Sequence, residues 1–399
     1  MLCRFENRLA GTAIELTGFD HRIAASSAAD LPAVFEQIAA AGRQGFWVAL
    51  LLDYELGEWL EPASTREPAS SGAPSCPAAL AQSTSADARS RPRLTALVYR
   101  RAHSVPVWEA PAEDEISLES EPAIPQKQYL ANIQALRASI GRGDLYQVNY
   151  TFPINIRTRS AALDLYQSIA ARHPTAHAAY IEDDMQKDGG RRILSFSPEL
   201  FVARTGDTLT VRPMKGTAPR HADPLADQRS ADELLSSEKN RAENLMIVDL
   251  LRNDLGRLAR PGSVKVEALF SLERYPSVWT LTSTVTAQAP GKSLEDVLRA
   301  LFPCGSITGA PKIAAMRKIR ELEGATRGIY CGSVGWLAPS GDFSLNVAIR
   351  TIEMHNEHEG IFGVGGGIVH DSIPELEWEE CLWKARILQR PKVLGEASP

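Results

Sequence analysis

The sequence predicts an α+β fold, a mostly antiparallel sheet with long helical excursions between its strands. Short apolar or alternating runs suited to strands fall at 45–52, 94–100, 145–156, 178–181, 192–196 and 208–211. Stretches with helical spacing fall at 31–41, 125–142, 163–171 and 237–257. The two kinds of element do not alternate as they do in a wound parallel sheet, and no internal repeat is visible.

Taken in order, 31–41 keeps one apolar face, with Asp30 as an N-cap and Pro32 in the first turn. The run Gly45-Phe46-Trp47-Val48-Ala49-Leu50-Leu51-Leu52 is too short for a helix and suits a buried strand. Residues 61–93 are rich in Pro, Ser, Ala and Gly and poor in large apolar side chains. Such a segment cannot offset its ordering entropy, so it reads as a disordered surface insertion, not a domain boundary. After a polar connector at 109–125, Tyr129, Ile133, Leu136 and Ile140 share one helix face, ended by Gly141 and Gly143. The expected organisation is one compact domain, 1–124 contributing its N-terminal part and 125–390 its catalytic part.

A chain of 399 residues with 44% apolar and 23% charged residues has ample material for a core. A net charge of −6 gives no reason to expect nucleic-acid binding. No apolar run is long enough to span a membrane, and the first residues lack the apolar region of a signal peptide. The five cysteines, an odd number without C-x-x-C spacing, read as reduced thiols in the cytoplasm.

Four stretches can carry chemistry. In Arg212-Pro213-Met214-Lys215-Gly216-Thr217, Pro213 is expected to fix a turn, and a lysine beside a close-approach glycine can become a nucleophile once its pKa falls. Upstream, Glu199 sits in the apolar context Ser195-Phe196-Ser197-Pro198-Glu199-Leu200-Phe201, where a carboxyl can serve as a general acid. The helix at 237–257 is capped by Ser237, has Leu245, Val248, Leu251 and Leu255 on its apolar side, and carries Glu243 one turn beyond Asn240. At 301–316 a glycine-rich turn precedes Pro311 and Lys312, a helix start that can take an anion but is not a P-loop. The last stretch joins a strand opened by Tyr330, a strand at 346–352 bearing Arg350, and the run Gly363 to Ile368. Its helix carries Glu375, Glu377, Glu379, Glu380 and Lys384. Glu377 and Glu380 share a face and, with Glu243, can hold Mg2+; a solvated acidic helix is an equally simple reading.

Together these stretches resemble the chorismate-utilising enzyme family, which includes anthranilate, aminodeoxychorismate, isochorismate and salicylate synthases. The resemblance covers about 125–390 and rests on S-P-E-L-F, P-M-K-G-T, A-E-N-L-M-I-V-D-L-x-R-N-D-L-G, G-S-I-T-G-A-P-K and G-G-G-I-V-x-D-S. It implies two packed sheets with helices outside and a site in a cleft. Lysine at the position of Lys215 resembles the aminodeoxychorismate branch; anthranilate synthases typically have alanine there. The resemblance implies that Lys215 attacks C2 of chorismate and Glu199 protonates the departing C4 hydroxyl. Ammonia from a separate glutaminase subunit then gives 4-amino-4-deoxychorismate, on the route to p-aminobenzoate and folate. It also implies that Glu243 and Glu380, with Glu377 beside them, hold Mg2+, and that Gly216, Thr217, Tyr330, Arg350, Gly365, Gly366, Gly367 and Lys384 contact substrate. Some positions depart from the family pattern. Asn240 stands where an acid is common, and Trp279-Thr280 where several relatives have a histidine. The segment 173–180 lacks the proline-aromatic pattern of a tryptophan pocket. The alternatives are an anthranilate synthase component and a non-catalytic binding partner of a glutaminase.

Overall fold

A computed structural model describes residues 1–65, 91–111, 116–183, 190–275 and 278–389. Among these residues all strand pairings are antiparallel, and hydrogen bonding joins 18 strands into one network. One arm runs from Leu118–Pro122 through Gln147–Thr158, Glu359–Ile368, Thr351–Met354, Arg191–Ser197 and His177–Asp183 to Cys3–Asn7. The other continues through Thr12–Ala25, Leu94–Pro106, Trp47–Leu52, Ser333–Leu337, Phe343–Asn346, Leu200–Thr205 and Thr208–Arg212 to Val278–Gln288. That last strand also carries Met214–Pro219 and Lys265–Arg274, and Gly309–Ala310 pairs with Gln147–Thr158.

The two arms pack on each other as the two expected layers. Ala49, Leu51, Leu97 and Tyr99 from one arm share a core with Ala179, Ile181 and Ile193 from the other. The alternate residues Val48, Leu50 and Leu52 point the opposite way, into a larger core shared with the helices. Both faces of Trp47–Leu52 are therefore buried, and so its sequence is an unbroken apolar run. Burying each such leucine contributes on the order of 2 kcal/mol. Outside, helix Leu31–Arg43 buries Leu31, Val34, Phe35, Ile38 and Ala41, and helix Gln126–Gly141 buries Tyr129, Ile133 and Leu136.

Three expectations need correction. Helix Glu238–Gly256 is capped by Ser237 as read, but Leu245 is 44% exposed. Its buried stripe is Asn244, Ile247, Val248, Leu251 and Leu255. Asn244 can take a core position because its amide is satisfied, accepting from Ser283 Oγ at 2.6 Å and donating to the Leu281 carbonyl at 3.4 Å. The strand expected at 346–352 is two strands, Phe343–Asn346 and Thr351–Met354, which pair with different partners. Arg350 lies in the crossing between them with φ +50°. The crossing backbone is satisfied outside the ladders, Val347 N–H donating to the Glu199 carbonyl and Ala348 N–H to the Gly332 carbonyl. Finally, the chain beyond Pro213 continues as strand Met214–Pro219 instead of turning away.

Residues 66–90, most of the expected insertion, lie outside the described residues. Its flanks are packed: Ser64 is buried, and Arg93 donates to Glu58 Oε2 at 2.8 Å. Cys3, Cys304, Cys331 and Cys381 are free and buried, while Cys76 lies outside the described residues. No helix among the described residues is long and apolar enough to cross a membrane.

Candidate active site

The site is built around a bulge. Met214 pairs with Thr282 and Thr217 with Thr280, so strand Met214–Pro219 carries one residue more than its partner between these pairs. A bulge bends a strand and re-aims its side chains. Here it contains Lys215 and Gly216, and Gly216 adopts φ +86°, which favours glycine. Thr280 Oγ1 donates to the Gly216 carbonyl at 3.0 Å and pins the bulge from the neighbouring strand. Thr280, part of the Trp279-Thr280 departure, thus has a structural task in this chain.

Lys215 is half-buried and makes no ion pair among the described residues. Its ammonium reaches the glycine-rich strand: a Cβ on Gly367 would lie 3.2 Å from Lys215 Nζ and 2.5 Å from Gln147 Nε2. Burial, reinforced by the nearby Lys384 charge, holds the Lys215 pKa below its ordinary value, against the opposing pull of Glu243, Glu199 and Glu380. The same residue therefore feels four of the expected site groups, which come from two helices and one turn between strands.

Glu199 sits between strands Arg191–Ser197 and Leu200–Thr205 and is only 4% exposed. Its N–H donates to Ser197 Oγ at 3.2 Å, and the Ser197 hydroxyl in turn donates to the Val347 carbonyl at 2.6 Å. Ser306 Oγ donates to Glu199 Oε1 at 2.8 Å. Burial pushes the Glu199 pKa up to about 7, although Ser306, Lys215 and the Met214 N–H all favour the ionised form. A carboxyl with that pKa can give up a proton near neutrality.

Helix Pro374–Lys384 faces the same glycines. A Cβ on Gly366 would lie 3.2 Å from Glu377 Oε2, and 3.9 Å from both Glu380 Oε1 and Lys384 Nζ. Lys384 Nζ lies 2.7 Å from Glu380 Oε1 and donates to the Gly365 carbonyl at 2.8 Å. Burial pushes Glu380 up, but Lys384, Lys215 and Lys239 outweigh it and hold its pKa below the usual value. Burial raises the Glu377 pKa, with the Glu380 charge adding to the rise and Ser372 and Lys384 opposing it.

Among the described residues no three His, Cys, Asp or Glu side chains gather closely enough to form a ready-made metal cluster. The donor chemistry still fits Mg2+, which needs one or two carboxylates and completes its shell with water and substrate oxygens. The Glu380 side chain keeps 49% of its surface open, leaving an approach from solvent.

Of the expected substrate contacts, Gly365, Gly366, Gly367 and Lys384 adjoin Lys215 and the acidic helix. Tyr330 is buried with its ring against Gly363, where a Cβ would lie 2.1 Å from Cδ1. Arg350 is half-buried, and its guanidinium makes no ion pair or hydrogen bond among the described residues, which leaves its fork available to a carboxylate. Burial lowers its pKa, with Tyr275 opposing. Thr217 is exposed, while Gly216 packs against Asn240. Lys312 is committed elsewhere, donating to Asp254 Oδ2 at 2.7 Å and to the Leu301 carbonyl at 3.2 Å, so it does not offer the anion site its helix start suggests.

Sequence reasoning missed two groups. Ser306 touches Glu199 from a distant turn. Gln147 is 2% exposed, and its Oε1 has no partner among the described residues although its amide nitrogen lies beside Gly367. Ser306 lies in the G-S-I-T-G-A-P-K motif, but its contact with Glu199 shows only in the fold; Gln147 has no local signature.

A half-buried lysine with a depressed pKa, a glycine strand and an acidic helix meet here, with the protonatable Glu199 close enough to affect the lysine. The chain belongs to the chorismate-binding enzyme family, whose model matches residues 6–390. It is 39% identical over 264 residues to anthranilate synthase component 1 of Streptomyces coelicolor, covering 66% of this chain and 51% of that protein. It is 41% identical over 265 residues to aminodeoxychorismate synthase component 1 of Salmonella typhimurium, covering 66% of this chain and 57% of that protein. The chain thus matches somewhat over half the length of these relatives. Among solved structures, anthranilate synthase component I of Streptococcus pneumoniae superposes with a TM-score of 0.77 at 24% identity, covering 95% of this chain and 92% of that one. The menaquinone-specific isochorismate synthase MenF of Escherichia coli gives 0.73 at 17% identity, covering 98% and 88%. Both likenesses concern the fold.

Proposed function

We propose that this chain aminates chorismate at C4 to 4-amino-4-deoxychorismate, using ammonia delivered by a glutaminase partner. The observation that carries the reading is Lys215, held in a bulge against Gly367 with its pKa lowered and the protonatable Glu199 close enough to affect it. Neutral Lys215 Nζ adds to C2, the ring double bonds shift, and the C4 hydroxyl leaves as water with the Glu199 proton. Ammonia then adds at C4, the double bonds shift back, and the C2–N bond breaks to return the lysine amine. The Glu199 carboxylate takes the surplus proton from the new C4 ammonium, which restores the acid. Splitting one difficult substitution into two is the gain from covalent catalysis. Arg350 and Tyr330 orient the substrate, and the glycine strand lets it approach the backbone closely. Glu243 and Glu380, with Glu377 near, would hold Mg2+, which would supply neutralising charge for a substrate carboxylate.

A second reading, amination at C2 to anthranilate, has support from the 39% identical anthranilate synthase relative. Products separate the two after incubation with chorismate, Mg2+ and an ammonium salt: aminodeoxychorismate supports the first reading, and anthranilate overturns it. With ammonia withheld, intact-protein mass spectrometry should show an adduct of chorismate less one water on the peptide holding Lys215. Unchanged aminodeoxychorismate formation by Lys215→Ala would exclude the covalent route.

A further inference from the structure

The turn Gly305–Ile307 belongs to the family motif, yet it brings a hydroxyl directly onto the carboxyl assigned as the acid. Ser306, Glu199 and Cys304 are 5%, 4% and 5% exposed, so bulk water does not compete for their hydrogen bonds. Ser306 Oγ lies 2.8 Å from Glu199 Oε1 and 3.3 Å from Cys304 Sγ. Burial raises the Cys304 thiol to about 12, so at neutral pH it keeps its proton and can donate to a lone pair of Ser306. The single hydroxyl proton of Ser306 then goes to Oε1.

We propose that Ser306, backed by the Cys304 thiol, is the positioning residue of the acid, holding Glu199 Oε1 as the acceptor and assigning the transferable proton to Oε2. When that proton leaves, the carboxylate already has a donor in place, so no group has to reorient to stabilise the new charge. Other groups facing Glu199 are Lys215 and the Met214 N–H, both from strand Met214–Pro219, and Lys312 lies beyond Cys304. Ser306 is the side chain that donates to Oε1. The proposal rests on the reading of Glu199 as the proton donor.

The test compares the full chain with Ser306→Ala, Ser306→Thr and Cys304→Ala. An infrared titration of the Glu199 carboxyl stretch, taken as the difference from Glu199→Gln, reads the protonation midpoint without any turnover. The pH dependence of kcat for chorismate with ammonium reads the same group in action. Ser306→Ala should raise the midpoint by about one pH unit, because a hydrogen bond to the charged form is lost. Its kcat should fall about tenfold with KM within about twofold of wild type. Ser306→Thr, which keeps the hydroxyl, should restore both, and Cys304→Ala should raise the midpoint by a smaller amount. An unmoved midpoint in Ser306→Ala overturns the proposal, and so does failure of the threonine to restore it. Should Ser306→Ala not fold, an unmoved midpoint in Cys304→Ala overturns it. A wild type inert toward chorismate sinks the functional reading, while the infrared titration still decides the role of Ser306.

Discussion

Glu199→Gln should stabilise the protein in a strongly pH-dependent way. Burial raises the Glu199 pKa from 4.5 to about 7, so the folded state disfavours the ionised form relative to the unfolded chain. For a carboxyl raised in this way, stability is fully present below the unfolded pKa and is lost as pH rises towards the folded one. Glutamine keeps the shape and an oxygen to accept from Ser306, but carries no proton to lose. The two proteins should therefore have similar stability near pH 4. The difference should open between pH 4.5 and 7 and level off above, reaching about 3 kcal/mol at 1.36 kcal/mol per unit. Urea unfolding of both proteins at intervals from pH 4 to pH 8.5 measures it. A difference that stays flat across this range would refute the assignment of Glu199 as a buried, neutral acid. The converse is catalytic: the proposed reaction needs Glu199 protonated, so activity should decline as pH rises through about 7.

The remaining predictions concern metal, packing and a buried ion pair. Glu243→Gln and Glu380→Gln should each weaken Mg2+ binding by calorimetry about tenfold or more while leaving the circular dichroism unchanged; unaltered affinity in both would remove these residues from the metal site. Gly363→Ala puts a methyl 2.1 Å from Tyr330 Cδ1 and should cost about 1–3 kcal/mol in denaturant unfolding, together with a raised KM for chorismate. Arg327→Met strips the buried Glu323 carboxylate of its ion pair at 2.6 Å and should cost about 3–5 kcal/mol, more than any surface pair.

The regular elements were legible because their causes are local. The buried strand Trp47–Leu52 announces itself as an apolar run, and helix Leu31–Arg43 by spacing and its proline start. The break at Arg350 was not legible, because 346–352 alternates acceptably for a strand; only the bonds from Val347 to Glu199 and from Ala348 to Gly332 impose the crossing. Leu245 was misplaced because Asn244 takes the core position beside it, and the partners that satisfy its amide, Ser283 and Leu281, lie on another strand. In the site, Lys215 and Glu199 stood out through motif resemblance. The bulge that aims the lysine is a property of register against Thr280 and Thr282, which no single strand encodes. The acidic helix was legible as a charge run, but the pairing of Lys384 with Glu380 and the Gly365 carbonyl was not.

The pairing of Trp47–Leu52 with Ser333–Leu337 has a consequence for how the chain is made. One edge of the strand can be closed early by Leu94–Pro106, but the other stays open until the last third of the chain has left the ribosome. At about 5–20 residues per second, that wait is on the order of tens of seconds. Throughout it, one of the most apolar strands presents unpaired N–H and C=O groups, a template for any similar edge nearby. Cell-free synthesis without chaperones should therefore lose more product to aggregation than dilute refolding of the finished chain, in which both partners are present from the first moment.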